Sequence, residues 1–165
     1  MKALVVDDDR SIRLLTRYWL EESGYEVIEA DSGMMALQAF HETLFDIILL
    51  EPRINGFEVA KAIRGLEKKW VPIIFMSAVS KEEYYEKGIQ AGADFYFVKP
   101  LNRTIFEAFL KGMIRMHNMR KSLENMNNEL MALRDNVIDG IITIEPKSLK
   151  IDNINQAGAS MLGYQ

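Results

Sequence analysis

The hydrophobic pattern of this chain changes period several times, and each change marks an element. Five short apolar runs have strand length: Ala3 to Val6, Tyr25 to Ile28, Phe45 to Leu50, Val71 to Met76 and Phe95 to Val98. They are rich in the β-branched and aromatic residues that suit a pleated surface. The third and fourth are almost wholly apolar, which predicts central strands covered on both faces. Between the runs the spacing turns helical. Ile12, Leu15, Trp19 and Leu20 form one stripe, Met35, Leu37, Ala39 and Phe40 a looser one, and Val59, Ile63 and Leu66 a third. Pro52, Asn55 and Gly56 punctuate the exit of the third run, and Pro72 the entry of the fourth. Strand and helix alternating in this way predict a parallel sheet with helices on both faces.

Right-handed crossovers narrow this to an α/β, flavodoxin-like, doubly wound five-stranded parallel sheet. Such folds bind ligands at the carboxyl ends of the strands, and polar groups gather at those positions. The first run ends in Asp7, Asp8 and Asp9, the third in Glu51, the fourth in Ser77 and Ala78, and the fifth in Lys99 and Pro100. They lie far apart in the chain, and the fold would bring them to one edge of the sheet. Asp9, just ahead of Arg10, is the expected N-cap of the first helix.

Beyond Leu101 a long helical pattern continues to about Arg134 without proline, its only glycine being Gly112. Ile105, Phe106, Phe109 and Leu110 would pack on the sheet as its fifth helix. Met116, Met119, Leu123, Met126, Leu130, Leu133 and Val137 then recur at alternating spacings of three and four, a heptad seam flanked by Lys, Arg, Glu and Asn. This predicts a coiled-coil signalling helix over 117–137 and a homodimer through residues 116–137. The remainder, 138–165, changes character again. Ile141 to Ile144 and Leu149 to Ile154 read as strands around a turn at Pro146 to Ser148, with a short helix from Gln156 to Leu162.

Composition removes several alternatives. The formal net charge is −4, so no general positive field points to nucleic acid, and no nucleic-acid partner is expected. The absence of cysteine excludes disulfides and thiolate metal sites. His41 and His117 lie too far apart in sequence to suggest an imidazole cluster. The opening apolar run is too short for a signal peptide, and no stretch reaches the ~18 apolar residues of a membrane span. A cytoplasmic protein without a membrane partner is therefore expected.

Four motifs in order carry a resemblance to a known family. "LVVDDDRSIR" resembles the acidic-pair motif, "FDIILLEPRINGFEVAKAIR" the phosphoacceptor strand and following helix, "IIFMSA" the hydroxyl motif, and "GADFYFVKPL" the lysine–proline motif of response regulator receiver domains. The resemblance covers about Met1 to Met116, giving a receiver domain over 1–116. The stretch "DNVIDGIITIEPKSLKIDNINQAGASMLGY" resembles the opening of a PAS sensor domain, which makes 138–165 a partial PAS-like α+β segment and the sequence a piece of a longer receiver–PAS protein.

The receiver resemblance implies a non-enzymatic switch that takes a phosphoryl group from a sensor histidine kinase or phosphotransfer protein. It implies Mg²⁺ held by Asp7, Asp8, the residue at position 51 and the backbone carbonyl of Arg53. Ser77 and Lys99 would receive the phosphoryl oxygens, and Tyr96 would change rotamer as Ser77 is drawn inward. Two departures bear on this. The phosphoacceptor position holds Glu51, whose longer side chain displaces the carboxylate by over an ångström, enough to cost about a hundredfold in rate. Only four residues separate Glu51 from Gly56, against about seven in the family, and Pro52 stiffens that loop. The site is thus expected to be degenerate or phosphomimetic, with Glu51 in salt-bridge reach of Lys99. One alternative is a haloacid-dehalogenase-like phosphohydrolase using Asp7, Asp9 and Ser11, which would need a further acidic pair after Lys99. The other is a dimerisation scaffold independent of phosphorylation.

Overall fold

The computed structural model describes residues 1–66, 70–136, 139–146 and 148–163. Its first compact unit, Met1–Ile114, alternates strand and helix. The elements are β1 (Lys2–Val6), α1 (Arg10–Glu22), β2 (Glu26–Ala30), α2 (Gly33–Glu42), β3 (Ile47–Leu50), α3 (Gly56–Gly65), β4 (Ile73–Ser77), α4 (Glu82–Gln90), β5 (Phe95–Val98) and α5 (Arg103–Asn136). The five strands are parallel, in the order β2-β1-β3-β4-β5. This is the expected doubly wound sheet, with the chain reversing direction of travel beside β1.

The two-residue period of the strands sorts the core onto two faces. Leu4, Val6, Ile48, Leu50, Ile73 and Phe75 meet Ala36 and Phe40 of α2 and Val59 and Ile63 of α3. Ala3, Val5, Ile47, Leu49, Ile74 and Met76 meet Trp19 and Leu20 of α1 and Phe106 and Leu110 of α5. β3 is buried at every position, as a central strand covered on both sides must be.

The helical faces differ in detail from the sequence pattern. On α1 the buried residues are Thr16, Trp19 and Leu20, while Leu15 is exposed. On α2 Ala36 and Phe40 face the core and Met35 faces solvent. In both helices a small residue one turn from a large one lets the helix sit close to the sheet, and this displaces the bulkier apolar neighbour. α4 carries no apolar stripe: Gly88 is its buried residue, placed where an added Cβ would lie 3.1 Å from the Phe75 ring.

The second unit, Arg115–Gln165, contains the rest of α5, an antiparallel pair β6 (Ile142–Ile144) and β7 (Ile151–Ile154), and α6 (Gln156–Met161). Buried Asn155 organises it. Its Nδ2 donates to the carbonyls of Arg134 and Asp139, and its Oδ1 accepts from the N–H groups of Ile141 and Gly158. On α5, Met116, Met119, Leu123, Met126, Leu130 and Leu133 are exposed. Val137, the seventh seam position, lies outside the described residues. Among the described residues no helix is long and apolar enough to cross a membrane.

Candidate functional site

The carboxyl ends of β1, β3, β4 and β5 converge because these strands are neighbours in register, with Val6 beside Leu50, Leu50 beside Phe75 and Ser77 beside Val98. The residue after β1 is Asp7 and the residue after β3 is Glu51, and both are fully buried. Backbone bonds fix their starting points: Asp7 N–H donates to the Ala30 carbonyl and Glu51 N–H to the Val6 carbonyl. Lys99 follows β5, held by its own N–H on the Ser77 carbonyl at 2.7 Å.

These three side chains form one cluster. Lys99 Nζ donates to Asp7 Oδ2 at 2.6 Å and to Glu51 Oε2 at 2.6 Å. The charge pair expected between Glu51 and Lys99 is present, with Asp7 as a third member. The other carboxylate oxygens are also engaged. Asp7 Oδ1 accepts the Asp9 N–H at 3.0 Å, and Glu51 Oε1 accepts both the backbone N–H and the Nε of Arg53, at 3.1 and 3.2 Å.

Burial pushes the Asp7 carboxyl above its ordinary range, and the pull of Lys99 in the other direction does not cancel it. Burial also works against the Lys99 ammonium, but the bonds and charges of Asp7 and Glu51 outweigh that and hold Lys99 above its ordinary value.

The loop after β3 sets the position of Glu51. Residues 52–55 form a tight turn, closed by the Gly56 N–H on the Pro52 carbonyl, with Asn55 left-handed at φ 61°. Gly56 is needed there because a Cβ would lie 2.4 Å from the Glu51 carbonyl oxygen. The short loop turns the Arg53 N–H and guanidinium back onto Glu51.

The acidic loop after β1 is held from below. Asp9 caps α1, accepting from the N–H groups of Ser11 and Ile12. Arg13 Nη1 donates to the carbonyls of Asp7 and Asp8, while its Nε reaches Glu29. Arg13 escaped the sequence reading because its targets are backbone oxygens, which leave no residue-type signature. Asp8 is exposed and has no part in the buried cluster.

Ser77 and Tyr96 converge on Val79. Buried Ser77 Oγ accepts the Val79 N–H at 3.1 Å, and the Tyr96 hydroxyl donates to the Val79 carbonyl at 2.8 Å. The Tyr96 ring lies 4.3 Å from the Tyr85 ring. One peptide segment thus links the expected hydroxyl and aromatic positions, a role sequence gave no reason to assign to valine.

The expected Mg²⁺ set of Asp7, Asp8, Glu51 and the Arg53 carbonyl does not fit an ion as arranged. Every oxygen of Asp7 and Glu51 already accepts an N–H, and Arg53 meets Glu51 through its donors. Among the described residues no group of three or more acidic or imidazole side chains is placed to hold a metal. A hard divalent ion needs several free oxygens in near-ideal geometry, and here it would first have to break the Lys99 bonds.

Comparison with known proteins agrees with this architecture. The profile of the family described as "Response regulator receiver domain" matches residues 3–111. The chain is 37% identical over 135 residues to the alkaline phosphatase synthesis transcriptional regulatory protein PhoP of Bacillus subtilis, covering 79% of this chain and 55% of that protein. It is 39% identical over 117 residues to the transcriptional regulatory protein ResD of the same organism, covering 69% and 48%. It therefore spans about half the length of these curated relatives.

Among solved structures, a chemotaxis response regulator, CheY4 of Vibrio cholerae, superposes with a TM-score of 0.63 at 33% identity, over 68% of this chain and 97% of that one. The receiver domain of a sensor histidine kinase from Pseudomonas aeruginosa, which has a magnesium ion in its active-site cleft, gives 0.63 at 27% identity, over 68% and 96%. The curated relatives are transcriptional regulators, not phosphohydrolases. Their names also leave the expectation of no nucleic-acid partner, drawn from net charge, without support.

Proposed function

Because the chain belongs to the response regulator receiver family, we propose that it is a cytoplasmic, non-enzymatic module of two-component signal transduction whose pocket is fixed by an internal charge pair. Glu51 takes the phosphoacceptor position in this reading. The observation that carries it is Lys99 Nζ at 2.6 Å from both Asp7 and Glu51, with Arg53 on the remaining Glu51 oxygen. A phosphoryl group carries nearly two negative charges and three acceptor oxygens and needs cationic donors in place to receive it. In this pocket those donors are committed to carboxylates. The glutamate is also displaced from the line of attack, where about an ångström matters a hundredfold.

The partner class is a sensor histidine kinase or phosphotransfer protein, bound without efficient transfer. The Ser77–Val79–Tyr96 connection is the path by which a change at the pocket would reach the surface. The output route is a homodimer through residues 116–137 leading into the PAS-like segment 138–165, whose hairpin exposes Ile142, Ile144 and Ile151. A carboxylate with one charge reproduces half of a phosphoryl group, so the pocket is read as set in one state and not as a full mimic of the phosphorylated one.

The test is intact-mass spectrometry after incubation with acetyl phosphate and Mg²⁺. The expected result is an unchanged mass, alongside labelling of the Glu51→Asp variant at no more than a small fraction, since the loop stays short. A stoichiometric gain of about 80 Da on Glu51 would overturn the reading.

A further inference from the structure

The disagreement between this pocket and a metal site points to one side chain. Three carboxylates, Asp7, Asp8 and Glu51, stand at the carboxyl edge of the sheet, and Lys99 answers two of them. A buried carboxylate keeps its charge only beside a cation or several donors. Glu51 is fully buried and has a second cation in Arg53, which bonds the same oxygen through its backbone N–H and through Nε. The Arg53 guanidinium also lies in the field of Asp8 and Asp7. It enters from the solvent side, its side chain about half-exposed, whereas Lys99 enters from the sheet side and is 11% exposed.

The turn after β3 frames this contact. With residues 52–55 drawn into a tight turn, Arg53 doubles back on the residue two places before it.

We propose that the Arg53 guanidinium is a built-in cation that stands where a divalent ion would sit among Asp7, Asp8 and Glu51, so that the pocket is complete without metal. The inference rests on the reading of a charge-fixed pocket, but its readout is separate. Labelling of Glu51 would remove that reading, whereas metal binding reports on Arg53 alone. Removing the guanidinium takes one of the two donors off Oε1 of Glu51, leaving the backbone N–H, and removes the cation whose field reaches Asp8 and Asp7, so that an external cation has charge left to answer.

The experiment uses the full chain with Mn²⁺ or Mg²⁺ as the probe and NaCl of matched ionic strength as the control. Free Mn²⁺ is followed by electron paramagnetic resonance, and the thermal midpoint of the first unit by near-ultraviolet circular dichroism. The parent protein should show no saturable Mn²⁺ binding, and about 10 mM Mg²⁺ should shift its midpoint no more than NaCl does. Arg53→Ala and Arg53→Gln should each bind one Mn²⁺ and gain about 3–6 °C with Mg²⁺. Adding Asp8→Asn to either should abolish the gain and so locate the ion.

Saturable binding by the parent equal to that of the variants would overturn the proposal, and so would variants as indifferent to metal as the parent. Arg53→Gln keeps most of the side-chain stem. A gain confined to the alanine variant would therefore trace to opened space and not to lost charge, and it too would overturn the proposal.

Discussion

A lysine ammonium almost out of reach of water keeps its proton only where anions offset the lost hydration, and Lys99 has two at 2.6 Å. Its folded value lies above the ordinary lysine value, so the stability it contributes is present below about pH 10.5 and lost as pH climbs through the folded value. Tyr25 adds to the same trend. Burial, with Asp46 nearby, pushes its phenol up to about 12, so the folded state holds this proton after the unfolded chain has released it. Stability must then fall as pH rises from about 10 to 12, with Tyr25 supplying roughly 2 kcal/mol of the loss. Thermal midpoints measured from pH 8 upward should drop through this window, and Tyr25→Phe should flatten the drop. An identical slope in the variant would show that the phenol is not held protonated by the fold. The Glu51–Lys99 pair and the Asp9 cap were legible in sequence because they depend on residue types at strand and helix ends. The Arg13 clamp and the Val79 bridge were not, since each acts on or through backbone atoms.

At the scale of elements, the strands and α5 were readable because their periods are strong, while α4 was not. Its turns are polar apart from Tyr84, half-buried against Phe57, and Tyr85 and Ile89, which are exposed, and it seats on the sheet through a glycine. The long helix is where a structural consequence remains. Six seam residues from Met116 to Leu133 are exposed on one chain, a continuous apolar stripe that water would penalise. Pairing two such helices would bury it, and the several methionines tolerate small changes of register between them. Light scattering at micromolar concentration should give a mass near twice the 19.0 kDa of the chain, falling to one chain when Leu123 and Leu130 are both changed to Glu. A monomeric parent would mean that the stripe is covered in some other way.

For the molecule as a whole, strand alternation and crossover handedness were enough to anticipate the sheet, and the sheet order in turn explains why Asp7, Glu51 and Lys99 meet. What could not be read was how a loop of four residues would point Arg53, because that depends on the left-handed turn at Asn55 and the close approach of Gly56 to Glu51. The expectation of no nucleic-acid partner, drawn from the net charge of the whole chain, gains no support from relatives named as transcriptional regulators, of which this chain spans about half. The central claim is that the state of the pocket is set by the Glu51–Lys99 pair. A double-mutant cycle with Glu51→Gln, Lys99→Met and the double variant, read by chemical denaturation, tests it most directly. The account predicts a favourable coupling of about 1–3 kcal/mol, because Lys99→Met takes the ammonium from a buried Glu51 that the double variant no longer charges, while the lost Asp7–Lys99 contact is common to both Lys99→Met variants and cancels in the cycle. Single effects that add to within about 0.5 kcal/mol would contradict it.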